Sequence, residues 1–246
     1  MSLCHPENGG VSCGACCGLF NLKVSIPEYK EILKERTEQF KSTVNFEVRH
    51  SFPIYRKSRE ETESIYPKKD DSTYNCPFLG YVDESDKKIG CMIHPIFTKD
   101  PKSQNFSFYG TSICQTYDCK NKESEISKEW EDLFLEVSDS STTYSLIASD
   151  HIFATAIEKY FYHKKIEQKE MFGIYREFLK DLYKLRKETI SEKNFTSFEI
   201  NFENFSDLKS CEDYLKHELG LSELGWKEKS PDRNGPGDSS VIKLLL

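Results

Sequence analysis

The sequence predicts an α+β chain in which a small cysteine-rich α+β half precedes a mainly helical half. Two observations carry that reading. Eight of the nine cysteines stand before residue 120. Up to that point short alternating apolar runs mix with one helical stripe, whereas beyond it apolar residues recur at helical spacing in long stripes. A chain of 246 residues suffices for one large domain or two small ones. It can bury a core without cysteine staples. The expected division is a cysteine-cluster unit over 1–120, a mainly helical region packed on it over 121–226, and a tail over 227–246. The tail is rich in Lys, Ser, Pro, Gly and Asp and is expected to lack structure.

The elements follow in order. Residues 1–24 carry few charges and hold four cysteines, with glycines that let the backbone turn tightly. Ser25 and Glu28 have the spacing of a capping box, and Tyr29, Ile32, Leu33, Arg36 and Phe40 follow on one face, predicting a helix over 26–40. Val44, Phe46 and Val48 alternate with polar residues and predict a strand. The charged run 56–72 reads as a solvated loop. Two apolar runs around a polar turn, Cys76–Val82 and Ile89–Pro95, predict a β-hairpin with one cysteine on each arm. Residues 98–110 read as an irregular insertion before Cys114 and Cys119.

Three amphipathic stripes then predict three helices: Ile126–Val137, Leu146–Phe161 and Met171–Leu182. Phe198, Ile200 and Phe202 alternate as in a strand. A last helix over 207–219 is capped by Ser206, ended by Gly220, and carries Cys211 on its apolar face as a buried thiol.

The eight remaining cysteines fall into two sequence groups: Cys4, Cys13, Cys16 and Cys17, then Cys76, Cys91, Cys114 and Cys119. The N-terminus has neither a basic n-region nor an apolar h-region, so a cytoplasmic location is expected. Structural disulfides are rare there, and grouped cysteines point to a metal or to catalysis. Zinc takes four thiolates in a closed tetrahedron. An iron–sulfur cluster also takes four. Ligand type does not separate zinc from iron. His5 and His94 lie close to ligand candidates. His5 reads as a surface histidine, and His94 as either a ligand-shell residue or a turn histidine. Asp150 and His151 have the chemistry of an acid–base pair but read as exposed helix positions.

Cys13-Gly-Ala-Cys16-Cys17-Gly18, Cys76-Pro-Phe-Leu79, Cys91-Met-Ile-His94-Pro95 and Cys114-Gln-Thr-Tyr-Asp-Cys119 together resemble the YkgJ-type cysteine-cluster family, a zinc- or iron-chelating domain with a CxxCxxCC signature. The resemblance covers about residues 4–120 and implies metal binding, without a defined reaction.

The leading expectation is therefore a protein that chelates zinc or iron, as ions or as an iron–sulfur cluster, through clustered thiolates. The alternatives are an iron- or iron–sulfur-dependent oxidoreductase or protein-modifying enzyme, and a thiol redox sensor using the Cys13–Cys16 pair. The net charge of −7, with Lys and Arg dispersed, argues against a nucleic-acid partner. No apolar run is long enough for a membrane span. No phosphate loop, serine triad or HExxH motif is present.

Overall fold

The structure, a computed structural model, describes residues 3–7, 10–192 and 203–224, with the backbones of 226–228 and 242–244. It is mostly helical with two small antiparallel strand pairs, so the mixed class holds with its balance shifted toward helix.

Helix α1 (Ile26–Thr43) starts at the expected capping box. Ser25 Oγ accepts from the Glu28 N–H, and the Glu28 carboxylate accepts from the Ser25 N–H at 2.7 Å. Its inner face buries Tyr29, Ile32, Leu33, Arg36 and Phe40.

The next expectation is overturned and the one after it holds only in part. Residues 44–50 form a loop, not a strand, because local side-chain bonds compete with extension. Ser51 Oγ accepts from the Asn45 N–H at 3.1 Å and donates to the Val48 carbonyl at 2.7 Å, while Asn45 Oδ1 accepts from the Glu47 N–H at 2.9 Å. The charged run that reads as a loop is helix over its first half, in α2 (Ser51–Glu63) with Tyr55, Arg59 and Glu63 buried, and non-helical over 64–72 as expected. Its charges are neutralised inside: the Glu63 carboxylate accepts from Arg36 Nε at 2.8 Å and from Arg59 Nη2 at 2.9 Å.

Strands β1 (Leu79–Tyr81) and β2 (Ile89–Cys91) form the expected hairpin, with Leu79 opposite Cys91. Asp83 closes its turn by accepting from the Lys87 and Lys88 N–H groups at 2.9 and 2.7 Å. The insertion holds a single turn, α3 (Pro95–Thr98), and a 3-10 turn at Ser103–Phe106. Helices α4 (Gly110–Thr116) and α5 (Lys120–Glu123) follow.

The second half contains α6 (Ser127–Val137), α7 (Ser141–Ser149), α8 (His151–His163), α9 (Gln168–Phe172), α10 (Arg176–Glu192) and α11 (Leu208–Leu219). Two expected helices are each split. The second stripe breaks at Asp150, the third between Phe172 and Arg176, where Gly173 ends α9. Neither Asp150 nor His151 is an exposed helix position: they are 1% and 5% exposed. Asp150 caps α8 by accepting from the Phe153 N–H, and pairs with the buried Arg186 at 2.7 Å. The apolar stripe runs through this cap, which hides the break in the sequence.

Asp150→Ala removes the cap and leaves the Arg186 guanidinium, among the described residues, with Glu218 as countercharge. The expected loss is about 3 kcal/mol, read from the urea midpoint.

The cap of α11 is Asp207 rather than Ser206, and Gly220 ends the helix at φ 68°. Cys211 is buried as expected. The strand expected at Phe198–Phe202 lies outside the described residues. Trp226–Glu228 pairs antiparallel with Ile242–Leu244. Residues 229–241 lie outside the described residues. Among the described residues no helix is long and apolar enough to cross a membrane.

Three apolar clusters fill the interior. The largest joins α6, α7, α8, α10 and α11 and includes Leu3. A second gathers Leu19, Phe20, Ile32, Leu33, Leu79 and Ile89, and takes in Leu146 from α7. A third surrounds Phe40, Tyr55, Cys76, Phe78 and Met92. Helix α7 is buried along its whole length, so it joins the cysteine-bearing segments to the helical core.

Candidate metal centre

The N-terminal cysteine segment is held in place by α7. Ser141, Ser145 and Ser149 recur every four residues on that helix and so share a face. The Ser12 N–H donates to Ser141 Oγ at 2.9 Å, and the Gly14 N–H donates to Ser145 Oγ at 3.0 Å. Ser12 Oγ donates to the Ile89 carbonyl of β2 at 2.6 Å. The segment also folds on itself, with the Cys13 N–H donating to the Cys4 carbonyl at 2.9 Å.

Ala15–Cys17 is a 3-10 turn ended by Gly18 at φ 76°. A Cβ on Gly18 would stand 2.1 Å from the Tyr74 carbonyl oxygen, so only glycine lets the chain pass here. That close passage lets the Cys76 N–H donate to the Cys17 carbonyl at 2.8 Å. Arg36, fully buried, donates from Nη1 to the Cys76 carbonyl at 2.9 Å.

Cys91 ends β2 and accepts from Gln104 Nε2 at 3.8 Å. Cys114, on α4, lies 3.6 Å from Ser107 Oγ. Gln104 and Ser107 are themselves bonded, Ser107 Oγ donating to the Gln104 carbonyl at 2.8 Å. Cys119 precedes α5, and its sulfur faces the N–H groups of Asn121 and Lys122.

None of the nine cysteines is in a disulfide. Burial pushes the Cys4 thiol up to about 12, and the neighbouring thiols of Cys119 and Cys16 add to the shift. Cys13 is raised well above the usual thiol range by burial, then by Cys4, Cys16 and Cys119. Cys17 and Cys76 form a hydrogen-bonded pair. Hydrogen bonds with Cys16 and then with Cys76 hold Cys17 well above the usual thiol range, and the Cys17 bond holds Cys76 below it. The Arg36 charge favours the Cys76 thiolate further. Burial and then the Cys76 neighbour push Cys91 up to about 12, with Cys114 a further contributor. Cys114 and Cys119 are each raised, mainly by burial.

The structure thus brings all eight sequence-predicted cysteines into neighbour relations with other members of the set. Among the described residues, however, no group of three or more His, Cys, Asp or Glu side chains is positioned to hold a metal ion. The donor chemistry fits a soft cation: thiols that disfavour one another's charge are the groups whose repulsion a cation relieves. Ligation would require them to draw together.

His94 is a turn residue, its Nδ1 accepting from the Ile96 N–H at 3.2 Å to cap α3. His5 is exposed, as the sequence suggests; desolvation and then the charge of the His94 ring hold it below the usual histidine range.

The supporting residues Arg36, Gln104, Ser107, Ser141 and Ser145 are absent from the sequence reading as site residues. One signal was available, the four-residue serine repeat 141–145–149 inside an otherwise apolar stretch.

No family model, curated protein or solved structure matches this chain.

Proposed function

We propose that this protein binds metal, chelating zinc or iron, as ions or as an iron–sulfur cluster, through the thiolates of Cys4, Cys13, Cys16, Cys17, Cys76, Cys91, Cys114 and Cys119. One observation carries the reading. Reduced thiols from widely separated segments, at 4–17, 76, 91, 114 and 119, become one another's neighbours. The sequence resemblance to the YkgJ-type family points the same way.

The bound metal would supply the positive charge that the thiolates require. Arg36 supports the reading from the protein side. It is a buried cation aimed at the Cys76 carbonyl, and its orientation is fixed by Glu63. A permanently charged guanidinium offsets part of the negative charge of a thiolate set.

Metal analysis of anaerobically purified protein, with its absorption spectrum, tests the proposal. The expected result is stoichiometric zinc in a colourless protein, or iron in a coloured one. Protein that is folded, fully reduced and free of both metals, and that stays so after incubation with either, would overturn it. If such protein also formed a Cys13–Cys16 disulfide on mild oxidation, thiol redox sensing would replace metal binding.

A further inference from the structure

Gln104 is a buried polar residue in the insertion between Cys91 and Cys114, and its side chain meets the Cys91 sulfur. The 3-10 turn that carries it is pinned to the exit of β2. Ser103 Oγ donates to the Ile93 carbonyl at 2.7 Å, two residues beyond Cys91. The turn is closed at its other end by Ser107, whose N–H and Oγ both donate to the Gln104 carbonyl, at 3.1 and 2.8 Å. The Gln104 backbone is therefore held in place beside Cys91.

What its amide offers the sulfur depends on which end points there. A carboxamide has an acceptor oxygen on one side and a donor nitrogen on the other. The order is set from outside. The Pro101 carbonyl can only accept, so the end of Gln115 that meets it at 3.4 Å is Nε2. The same Nε2 donates to Gln104 Oε1 at 3.0 Å. With its oxygen so engaged, Gln104 turns Nε2 toward Cys91 Sγ, 3.8 Å away. Polarity thus passes from a backbone carbonyl through two amides to a thiol. Gln115 itself is exposed, follows Cys114 on α4, and bonds to no sulfur among the described residues.

A neutral thiol is a weak acceptor, whereas a thiolate is charged and takes an N–H donor in a bond roughly twice as strong. The amide therefore gains most when Cys91 binds a metal as thiolate. Groups behind the ligands in this way orient them and tune the metal.

We infer that Gln104 is a positioning residue for Cys91 in the metal site, and that Gln115 acts through it by keeping the Gln104 N–H turned toward the sulfur. This rests on the metal-binding reading above and deepens it, by naming what orients one of the ligands.

The test uses the exposed end of this relay. The probe is Co2+, titrated anaerobically into the full-length reduced protein. The thiolate-to-cobalt charge-transfer band is followed, and affinity is measured by competition with a chelator. In Gln115→Glu the new carboxylate can only accept, so it draws Gln104 Nε2 to itself and turns Oε1 onto the sulfur. Affinity should fall about 10–100-fold. The band should move to longer wavelength, because a sulfur without its donor gives up charge more readily. Gln115→Lys keeps a donor at the same place and should match the wild type in both respects. Long-range charge alone predicts the reverse order, since an added acid attracts a cation and an added lysine repels it. Gln104→Leu removes the donor itself and should reproduce Gln115→Glu. Urea midpoints of the two Gln115 variants should stay near that of the wild type, because the side chain is exposed.

Equal affinities in Gln115→Glu and Gln115→Lys, or a tighter site in Gln115→Glu, would overturn the assignment while leaving metal binding intact. So would a weakened Gln115→Glu site whose band has not moved. If Gln104→Leu fails to fold, the two Gln115 variants still decide. Should the wild type take up no Co2+, the metal-binding reading itself falls, and the assignment with it.

Discussion

Gly18→Ala is expected to destabilise the protein by at least about 2 kcal/mol and to loosen the contact between the Cys17 and Cys76 segments. The left-handed backbone costs an alanine about 1–2 kcal/mol by itself. To this is added a methyl carbon that would stand 2.1 Å from the Tyr74 carbonyl oxygen, a contact with backbone that no rotamer change relieves. The two segments must separate, and the Cys76 N–H to Cys17 carbonyl bond is the first that such a separation stretches. Gly220→Ala is the control. Gly220 also has positive φ, at 68°, but a Cβ there meets nothing within 4 Å. It should lose only the backbone term. Urea midpoints of the two variants, compared with their zinc and iron contents, check both parts. Equal destabilisation with unchanged metal uptake would show that the close passage at Gly18 has no bearing on the thiols.

The second large effect is expected at Glu63. Burial pushes its carboxyl up, but the hydrogen bonds and charges of Arg36 and Arg59 outweigh this and hold it below the usual carboxylate range. Glu63→Gln leaves the fully buried Arg36 and the nearly buried Arg59 without that countercharge. Breaking a buried pair from one side costs roughly 3–5 kcal/mol. The effect depends on pH. Because the folded-state value lies below the unfolded one, the stabilisation is fully present above the unfolded value, about 4.5, and is lost as pH falls through the folded value. Wild-type stability should therefore fall with acid more steeply than that of Glu63→Gln, the two curves converging at low pH. Parallel curves from pH 7 to pH 3 would rule out this ion pair as a source of stability.

What the sequence makes legible is what neighbours within a few residues decide. Ser25 and Glu28 predict the start of α1 because the capping box is a three-residue relation. The hairpin is visible because its two arms and its turn are contiguous. Arg36 is on the correct face, but its meaning is hidden. Its partner Glu63 lies 27 residues away, in a segment whose charges look solvated. The strand expected at Val44–Val48 fails because Asn45 and Ser51 offer the backbone closer partners than another strand does. The thiols themselves are legible as a set. Their neighbours are not, since the Cys17 and Cys76 segments meet only because Gly18 lets the chain pass Tyr74.

The serine face of α7 has a consequence for the order in which the protein is made. The N-terminal thiol segment is bonded to Ser141 and Ser145, which lie 129 and 131 residues further along from Ser12 and Gly14. At about 5–20 residues per second, synthesis reaches that helix on the order of ten seconds after the segment itself is made. During that interval the segment has its partners at Cys76 and Ile89 but lacks the α7 face that holds Ser12 and Gly14. The nascent chain presents its most cysteine-rich stretch long before it can be enclosed, so metal or oxidant can reach those sulfurs before the helix that orders them exists.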